Sequence, residues 1–252
     1  MERRLVRLQA AGRWPADVDV WHVGIPASGA EVDASVLDPG ELERAARYRQ
    51  PVDRLRYVAT RAALRELLGE RLGIRPASLR LTTTRRGRPE LADPHGGLSF
   101  NVSHAGEHAL IAISPARTVG VDIERVDPEL DWRQLVDLVC TADEQRLWMA
   151  GPAAPLQREY FFRCWTAKEA LLKALGIGIA EGLHALAVNP AGDGMLQPVA
   201  VATQDQRFAG AADFACCWLA DLAGYIGCVA FGRPMDRSVA PATTTTGVVR
   251  ET

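Results

Sequence analysis

Apolar residues recur at the spacing of a helix in two long segments of the chain. In residues 52–73 an apolar stripe is followed by Gly73, which is typical of a helix C-cap. The stripe consists of Leu55, Val58, Ala62, Leu64, Leu68 and Leu72. Residues 156–176 show a second helical pattern, which ends at Gly176. The sequence therefore predicts one long helix in each half of the chain.

Segments of alternating or β-branched residues predict strands around these helices. Residues 17–25 predict one strand, residues 98–114 predict two strands around a polar turn, and residues 118–126 predict another. Further strand-like segments follow the second long helix, at 183–190, 198–204, 214–220 and 225–232.

Two shorter stretches carry the start signals of helices. Asp38 and Pro39 predict the cap and first turn of a helix within residues 35–49. Residues 131–150 predict a helix that breaks at Thr141, which can form a capping box with Glu144.

The order of these elements predicts an α+β fold made of two similar halves side by side, with a ligand cleft between them. We place the N-terminal half at 1–116 and the C-terminal half at 117–232. Residues 233–252 contain few apolar residues and predict a disordered tail.

The charge distribution favours a small anionic ligand. The formal net charge of −2 argues against general nucleic-acid binding. Between Arg44 and Arg88 there are thirteen arginines and three acids, a net of +10, whereas from Val119 onward eleven basic and seventeen acidic residues give −6. This asymmetry suggests a polyanionic ligand and a cation held by the acids. The alternative is that many of these charges lie on solvated faces.

Cysteine usage and hydropathy favour a cytoplasmic protein. The five cysteines show no CxxC or Cys/His zinc spacing and have apolar neighbours, which is typical of reduced, buried thiols. The first residues lack the apolar run of a signal peptide, and no stretch approaches the ~18 apolar residues of a membrane span. We expect no membrane association.

Paired acids on one predicted strand are the first candidate site. Asp122 and Glu124 lie two residues apart in VGVDIERV, so their carboxylates point to the same face. Two neighbouring carboxylates repel each other unless a cation lies between them, and Mg²⁺ or Mn²⁺ prefers such oxygen ligands. The alternative is an exposed strand face with two solvated acids.

The stretch WTAKEALLK adds a third carboxylate and contains the only two lysines of the chain, Lys168 and Lys173. Glu169 and Lys173 stand at i and i+4 on one helix face. Glu169 could complete a metal site and act as a general base, and a compact ammonium at Lys173 suits a developing negative charge. The alternative is a surface ion pair.

In FNVSH, Ser103 and His104 could meet a phosphate, whereas the absence of a GxSxG elbow disfavours a hydrolase triad.

Four motifs, taken in chain order, resemble those of the 4′-phosphopantetheinyl transferases: GRPEL, FNVSH, GVDIE and WTAKEALLKALGIGI. The resemblance spans residues 17–232, and the length is similar to that of the surfactin-synthetase-activating type. It implies a pseudodimeric fold in which each half packs a small, mainly antiparallel sheet on a long helix, and it implies a monomer. It also implies coenzyme A as co-substrate, Mg²⁺ or Mn²⁺ as cofactor, and apo acyl or peptidyl carrier domains as partners.

The resemblance also implies residue roles. Asp122, Glu124 and Glu169 match the metal ligands of the family, and Glu169 matches its general base. The residues that match contacts to coenzyme A or its phosphates are Lys173, Ser103, His104, Arg88, Arg56 and, least securely aligned, Arg44. Arg88 stands at the lysine position of a Gly-Lys-Pro motif. The expected reaction transfers 4′-phosphopantetheine from coenzyme A to a carrier serine and releases 3′,5′-ADP.

Two other functions stay open at this point. One is a metal-dependent nucleotide pyrophosphohydrolase, and the other is an inactive module that binds coenzyme A or a carrier. For carrier docking we consider the stretch from Cys140 to Phe162, with Arg146, Trp148 and Arg158, alongside Arg163; ordinary helix packing is the alternative.

Overall fold

The computed structural model of the chain describes residues 4–26, 32–85, 87–92, 98–149, 154–178, 182–191, 197–219 and 222–235. Within these ranges the α-helices are α1 (Pro39–Ala46), α2 (Pro51–Leu72), α3 (Val136–Val139), α4 (Ala142–Met149) and α5 (Ala154–Leu175). The strands of the first half are β1 (Arg4–Arg7), β2 (Asp19–Gly24), β3 (Leu81–Thr83), β4 (Pro89–Leu91), β5 (Ser99–Ala105) and β6 (His108–Ser114). Those of the second half are β7 (Val119–Arg125), β8 (Leu186–Ala187), β9 (Gln197–Pro198), β10 (Ala200–Val201), β11 (Ala215–Leu219) and β12 (Tyr225–Phe231).

Two antiparallel four-stranded sheets form the centre of the molecule. Sheet 1 has the strand order β1-β2-β6-β5, and sheet 2 has the order β7-β12-β11-β9. Two small antiparallel pairs, β3 with β4 and β8 with β10, lie outside these sheets. The predicted α+β fold of two similar halves, each a small antiparallel sheet with a long helix, is confirmed.

The packing is layered in the order α2, sheet 1, sheet 2, α5. Strand β6 shows why, because its side chains alternate between two apolar cores. Ile111 and Ile113 pack with residues of α2, whereas Leu110 and Ala112 pack with residues of sheet 2. Both faces are buried, which explains why β6 is a nearly continuous apolar run rather than an alternating one. A third core lies between sheet 2 and α5.

The helix ends agree with the predicted signals. Asp38 and Glu41 form a complete capping box at the start of α1, and Gly73 ends α2 with a left-handed φ of 66°. Thr141 and Glu144 exchange the two hydrogen bonds of the predicted capping box at α4. Each long helix begins and ends within about two residues of the prediction.

Other predicted elements were less accurate. Strand β1 was missed, because arginines surround its few apolar residues; it pairs with β2, and Arg7 forms an ion pair with Asp19. The segments 183–190 and 198–204 contain only two-residue strands. The predicted tail lies outside the described residues beyond Met235, and the predicted half boundaries stay predictions. Among the described helices none combines the length and apolar character needed to cross a bilayer.

The edge strands β5 and β7 join the halves through side chains. Ser99 Oγ accepts a hydrogen bond from Val119 N at 3.1 Å, and Asn101 Oδ1 accepts one from Val121 N at 3.0 Å. These bonds satisfy backbone donors on the edge of sheet 2 that would otherwise lack partners. One step further along the same face, Ser103 comes opposite Asp122.

Candidate metal site and anion cleft

Three carboxylates from a strand and a helix converge beside this seam. Asp122 and Glu124 point from one face of β7, and Glu169 points from α5. One carboxylate oxygen from each lies within 4.8 Å of the others. The structure therefore brings together the three residues that the sequence singled out as metal ligands.

The close approach of β7 to α5 depends on Gly120. A Cβ atom at this position would lie 2.0 Å from the carbonyl oxygen of Ala170 and 2.8 Å from the backbone nitrogen of Ala174. Glycine therefore lets the strand cross against the backbone of the helix. Asp122 lies two residues after Gly120 on the same face of β7. It is therefore directly beside the turn of α5 that carries Glu169 and Lys173.

The electrostatics of the cluster fit a divalent cation. Asp122 is 1% exposed, and its Oδ2 atom is buried with no hydrogen-bond partner among the described residues. Burial, followed by the charges of Asp122 and Glu169, raises the pKa of Glu124 to about 8. Burial, followed by Asp122, also raises the pKa of Glu169. The nearby cations do not fully offset the mutual repulsion of these three carboxylates. A divalent metal ion with a preference for oxygen ligands would offset it.

Lys173 lies against the same cluster. Its Nζ donates to Asp122 Oδ1 at 2.5 Å and to Ser103 Oγ at 3.0 Å, and it lies 3.7 Å from Glu169 Oε2. Ser103 Oγ in turn donates to Asp122 Oδ1 at 2.8 Å. Burial lowers the pKa of the ammonium, but Asp122 and Glu169 outweigh this effect and the pKa of Lys173 is raised. Lys173 is therefore a cation at the centre of the site.

Trp165 is a member of the site to which the sequence analysis gave no role. Its Nε1 donates to Glu169 Oε1 at 2.5 Å, which fixes the orientation of that carboxylate. The signal was present, since Trp165 and Glu169 are four residues apart on one helix and so lie on the same face.

Lys168 belongs to a different part of the molecule. Lys168 and Lys173 are five positions apart, so their side chains point to different faces of α5. Lys168 is fully buried, and its Nζ donates to Glu144 Oε2 at 2.6 Å and to the Val139 carbonyl at 2.7 Å. Glu144 Oε1 also accepts a hydrogen bond from Val188 N at 2.8 Å. This lysine connects α5 to α4 and to the segment after α5, and it is structural.

A cleft of about 550 Å³ opens next to Lys173, and both halves line it. The first half contributes Arg85, Arg88 and Asn101, and the end of α5 contributes Lys173 and Gly176. Arg88 lies in the wall with its guanidinium directed to backbone carbonyls, 2.8 Å from Lys173 O and 3.2 Å from Phe100 O. The cleft is thus basic and is located between the halves, as the two-half interpretation predicts.

A smaller cavity of about 130 Å³ adjoins this cleft, because Pro89 and Val102 line both. His104 lies on its rim, and partial desolvation together with the charge of Arg56 lowers the pKa of the imidazole. Arg44 also lines the cavity, with its guanidinium carbon 5.5 Å from the centre of the Tyr57 ring.

Arg61 completes the cationic lining of this smaller cavity. Sequence interpretation did not single it out, although it lies on the same helix as Arg56. Arg56 donates instead to the Gly106 carbonyl at 2.9 Å and to Asp53 at 2.6 Å. It lies near His104 but is held by contacts within the first half.

Fold and site together are those of a two-half α+β enzyme with a carboxylate cluster beside a basic cleft. Comparison with known proteins identifies the family. A family model described as the 4′-phosphopantetheinyl transferase superfamily matches residues 118–218, and one described as 4′-phosphopantetheinyl transferase, N-terminal, matches residues 27–116.

Individual relatives agree with these matches. The chain is 37% identical to the 4′-phosphopantetheinyl transferase HetI of Nostoc sp., over 66% of this chain and 71% of the relative. It is 36% identical to a phosphopantetheinyl transferase of Thraustochytrium sp., over 68% of this chain and 65% of the relative. It is 30% identical to the human L-aminoadipate-semialdehyde dehydrogenase-phosphopantetheinyl transferase, over 60% of this chain and 52% of the relative.

The chain therefore belongs to the 4′-phosphopantetheinyl transferase superfamily, and the resemblance found in its motifs is confirmed. The match of its first half to an N-terminal family model fits the two-half type of this enzyme.

Proposed function

We propose that the protein transfers 4′-phosphopantetheine from coenzyme A to a serine of an apo carrier protein, with Mg²⁺ as the cofactor and 3′,5′-ADP as the second product. The observation that carries the proposal is the convergence of Asp122, Glu124 and Glu169 with Lys173 at the mouth of a basic cleft between the halves. A pyrophosphate in that cleft would lie between a metal site and fixed cations.

Asp122, Glu124 and Glu169 would hold the Mg²⁺ ion. When bound, the ion would neutralise charge on the oxygens of the pyrophosphate, which favours cleavage of the phosphoanhydride. Asp122 offers its buried Oδ2, which has no hydrogen-bond partner in the described part of the chain, for this purpose. Mn²⁺ has the same ligand preference and is an alternative occupant.

Glu169 is the proposed general base. The serine oxygen of the carrier attacks the β-phosphorus of coenzyme A, the bond from that phosphorus to the bridging oxygen breaks, and the serine proton passes to Glu169. In the metal-free protein burial and the charge of Asp122 raise the pKa of this carboxylate, so it accepts a proton more readily than an ordinary glutamate. The bond from Trp165 Nε1 holds the carboxylate in place for this role.

Lys173, His104, Arg44 and Arg56 are proposed to bind the nucleotide part of coenzyme A. Lys173 Nζ would exchange its contact with Ser103 for a phosphate oxygen, and it supplies positive charge where the leaving group develops. His104, Arg44 and Arg56 surround or adjoin the smaller cavity, where an anionic group of the ligand could be held. Holding 3′,5′-ADP by several charges makes it a well-positioned leaving group.

The carrier surface is proposed to include the exposed part of α3 and α4. Leu138 is 59% exposed, and Arg146 is exposed beside Asp143. Arg163 does not fit this role as expected, because it pairs with Glu159 and donates to the carbonyl of Pro190. The side chain of Trp148 lies outside the described residues.

We expect the enzyme to act as a monomer in the cytoplasm.

Mass spectrometry of an apo carrier protein incubated with the enzyme, coenzyme A and Mg²⁺ tests the proposal. A panel drawn from polyketide, peptide and fatty-acid assembly is needed, because the pathway is not encoded in the site. We expect at least one carrier to gain a phosphopantetheine adduct, and we expect loss of the adduct with a metal chelator or with a carrier whose acceptor serine is alanine.

Two other outcomes would contradict the proposal. Release of 3′,5′-ADP from coenzyme A without a carrier would indicate a pyrophosphohydrolase. Binding of coenzyme A with no turnover across the whole panel would indicate an inactive binding module.

A further inference from the structure

Arg88 contacts both halves of the molecule with one side chain. The residue immediately precedes β4 in the first half. Its Nη1 donates to the carbonyl oxygen of Lys173 at 2.8 Å, and its Nη2 donates to that of Phe100 at 3.2 Å. Phe100 belongs to β5, whereas Lys173 belongs to the last turn of α5. A single guanidinium therefore connects a strand of the first half to the end of a helix in the second.

The last backbone carbonyls of α5 have no donor within the helix, so they accept hydrogen bonds from residues outside it. Gly176, with φ 71°, ends the helix, and the backbone nitrogen of Ile177 donates to Leu172 O at 2.9 Å. The corresponding bond from Gly176 N to Lys173 O is 3.3 Å long. Arg88 thus supplies the shorter hydrogen bond to Lys173 O. Its positive charge also complements the negative end of the helix dipole.

The geometry of Arg88 differs from that of a ligand-binding arginine. Both terminal nitrogens donate to the main chain, and Nε is buried without a hydrogen-bond partner among the described residues. An arginine that grips a phosphate presents its terminal nitrogens to the ligand as a fork. The family resemblance implies a contact between this position and coenzyme A, whereas the contacts of Arg88 point to a structural role.

We propose that Arg88 is a positioning residue: it clamps the last turn of α5 to the first half and thereby sets the place of the Lys173 ammonium beside the carboxylate cluster. A lysine places all its N–H donors on one nitrogen, so it lacks the two separate terminal nitrogens with which the planar guanidinium reaches the Phe100 and Lys173 carbonyls. The clamp rests on these contacts alone, whereas its consequence for catalysis also rests on the proposed function.

Hydrogen–deuterium exchange of the free protein tests the clamp without reference to activity. The variant is Arg88→Lys, which keeps the charge, and the matched control is Arg85→Lys, at an exposed arginine that lines the same cleft. We expect faster exchange of the amides of residues 172–178 in R88K, with wild-type exchange in R85K and in the remainder of α5. Equal exchange of residues 172–178 in all three proteins would overturn the clamp. Circular dichroism confirms that the variants are folded.

Steady-state kinetics test the consequence for catalysis. For R88K we expect kcat to fall on the order of 10- to 100-fold, while KM for coenzyme A changes by less than about 3-fold. A raised KM with kcat retained would instead identify Arg88 as a coenzyme A contact and overturn the positioning role. If the wild-type enzyme transfers no phosphopantetheine, the proposed function fails, and the exchange experiment decides the clamp by itself.

Discussion

Glu169 is distinguished from Glu159, the other glutamate of α5, by its neighbours. It lies beside Asp122 and Lys173 and accepts a hydrogen bond from Trp165. Replacement by glutamine keeps the shape but removes the base and the negative charge of one metal ligand. We expect E169Q to lower transfer by at least about 100-fold, with the affinity for coenzyme A retained within a few-fold, measured by the adduct assay and by calorimetry.

The matched control for this prediction is Glu159→Gln. Glu159 lies on the same helix, where it pairs with Arg163 at 2.7 Å on a partly exposed face. We expect near-normal transfer from E159Q. Near-normal turnover of E169Q would remove Glu169 from the role of base.

Glu124 makes the stability of the metal-free protein depend on pH. Its pKa is about 8 in the folded protein, whereas the ordinary pKa of a glutamate side chain is 4.5. Between these values the folded state holds a proton that the unfolded chain has released, so the free energy of unfolding falls as pH rises from about 5 to about 8. Because metal binding requires the ionised carboxylate, we expect Mg²⁺ to raise Tm more at pH 8 than at pH 6.5, measured by differential scanning fluorimetry.

The variant Glu124→Gln provides the comparison. The amide does not titrate, so the part of the pH dependence that comes from residue 124 should disappear in the metal-free protein. An equal shift in Tm at both pH values for the wild type would contradict the proposed link between metal binding and ionisation of Glu124.

The two lysines of the chain illustrate how one residue type can have two roles. Lys168 neutralises buried Glu144, so Lys168→Met would leave an unpaired carboxylate in the interior. We expect the free energy of unfolding to fall by about 3–5 kcal/mol, measured by urea denaturation. Arg146→Met breaks an exposed ion pair with Asp143. This variant should change the free energy of unfolding by less than about 1 kcal/mol. A similar loss in both variants would contradict the role of burial.

At the scale of elements, the crossing of β7 and α5 is the contact on which the metal site depends. Gly120→Ala would place a methyl group 2.0 Å from the carbonyl oxygen of Ala170, in a contact with backbone that cannot rotate away. We expect a loss of stability of at least about 1–3 kcal/mol and a smaller Tm shift on addition of Mg²⁺. Thermal denaturation with and without Mg²⁺ measures both.

Gly210→Ala is the control for this substitution, since a Cβ at Gly210 meets no atom within 4 Å and its φ is −83°. We expect wild-type stability and an unchanged response to Mg²⁺. If G120A behaved like G210A, the separation of β7 and α5 would not depend on the missing side chain.

The accuracy of the predicted elements followed the strength of their local signals. The two long helices and their capping residues were predicted well, because an apolar stripe and a cap act within one segment. β1 and the two-residue strands were predicted poorly, because pairing with a distant partner decides their conformation. The capping box at Thr141 was predicted, but the burial of Glu144 against Lys168 depends on α5 and was not.

At the scale of the whole molecule, each sheet covers an apolar face of the other. Val121 and Val229 of sheet 2 pack with Val20 and Leu110 of sheet 1 in one core. Separating the halves would expose this core to water. We expect residues 117–235, expressed alone, to unfold without a sharp cooperative transition in urea, monitored by circular dichroism, whereas the full chain unfolds cooperatively. A cooperative transition in the isolated half would show that it folds independently.

The sequence by itself determined the long helices, the central strands, the identities of the carboxylates and the family. Each of these depends on the spacing of residues that are close together in the chain. Asp122 lies two residues before Glu124, and Glu169 lies four residues before Lys173. The family matches confirm that these motifs were interpreted correctly.

Only the tertiary structure decided which charged side chains meet. It directs Lys173 to Asp122 and Lys168 to Glu144, and it turns Arg88 to the backbone at the end of α5. Spacing along one helix or strand specifies a face, but the partner on that face comes from a segment up to 85 residues away. Charge pairing depends on distance in space and on burial, and both are set by how the two halves pack together.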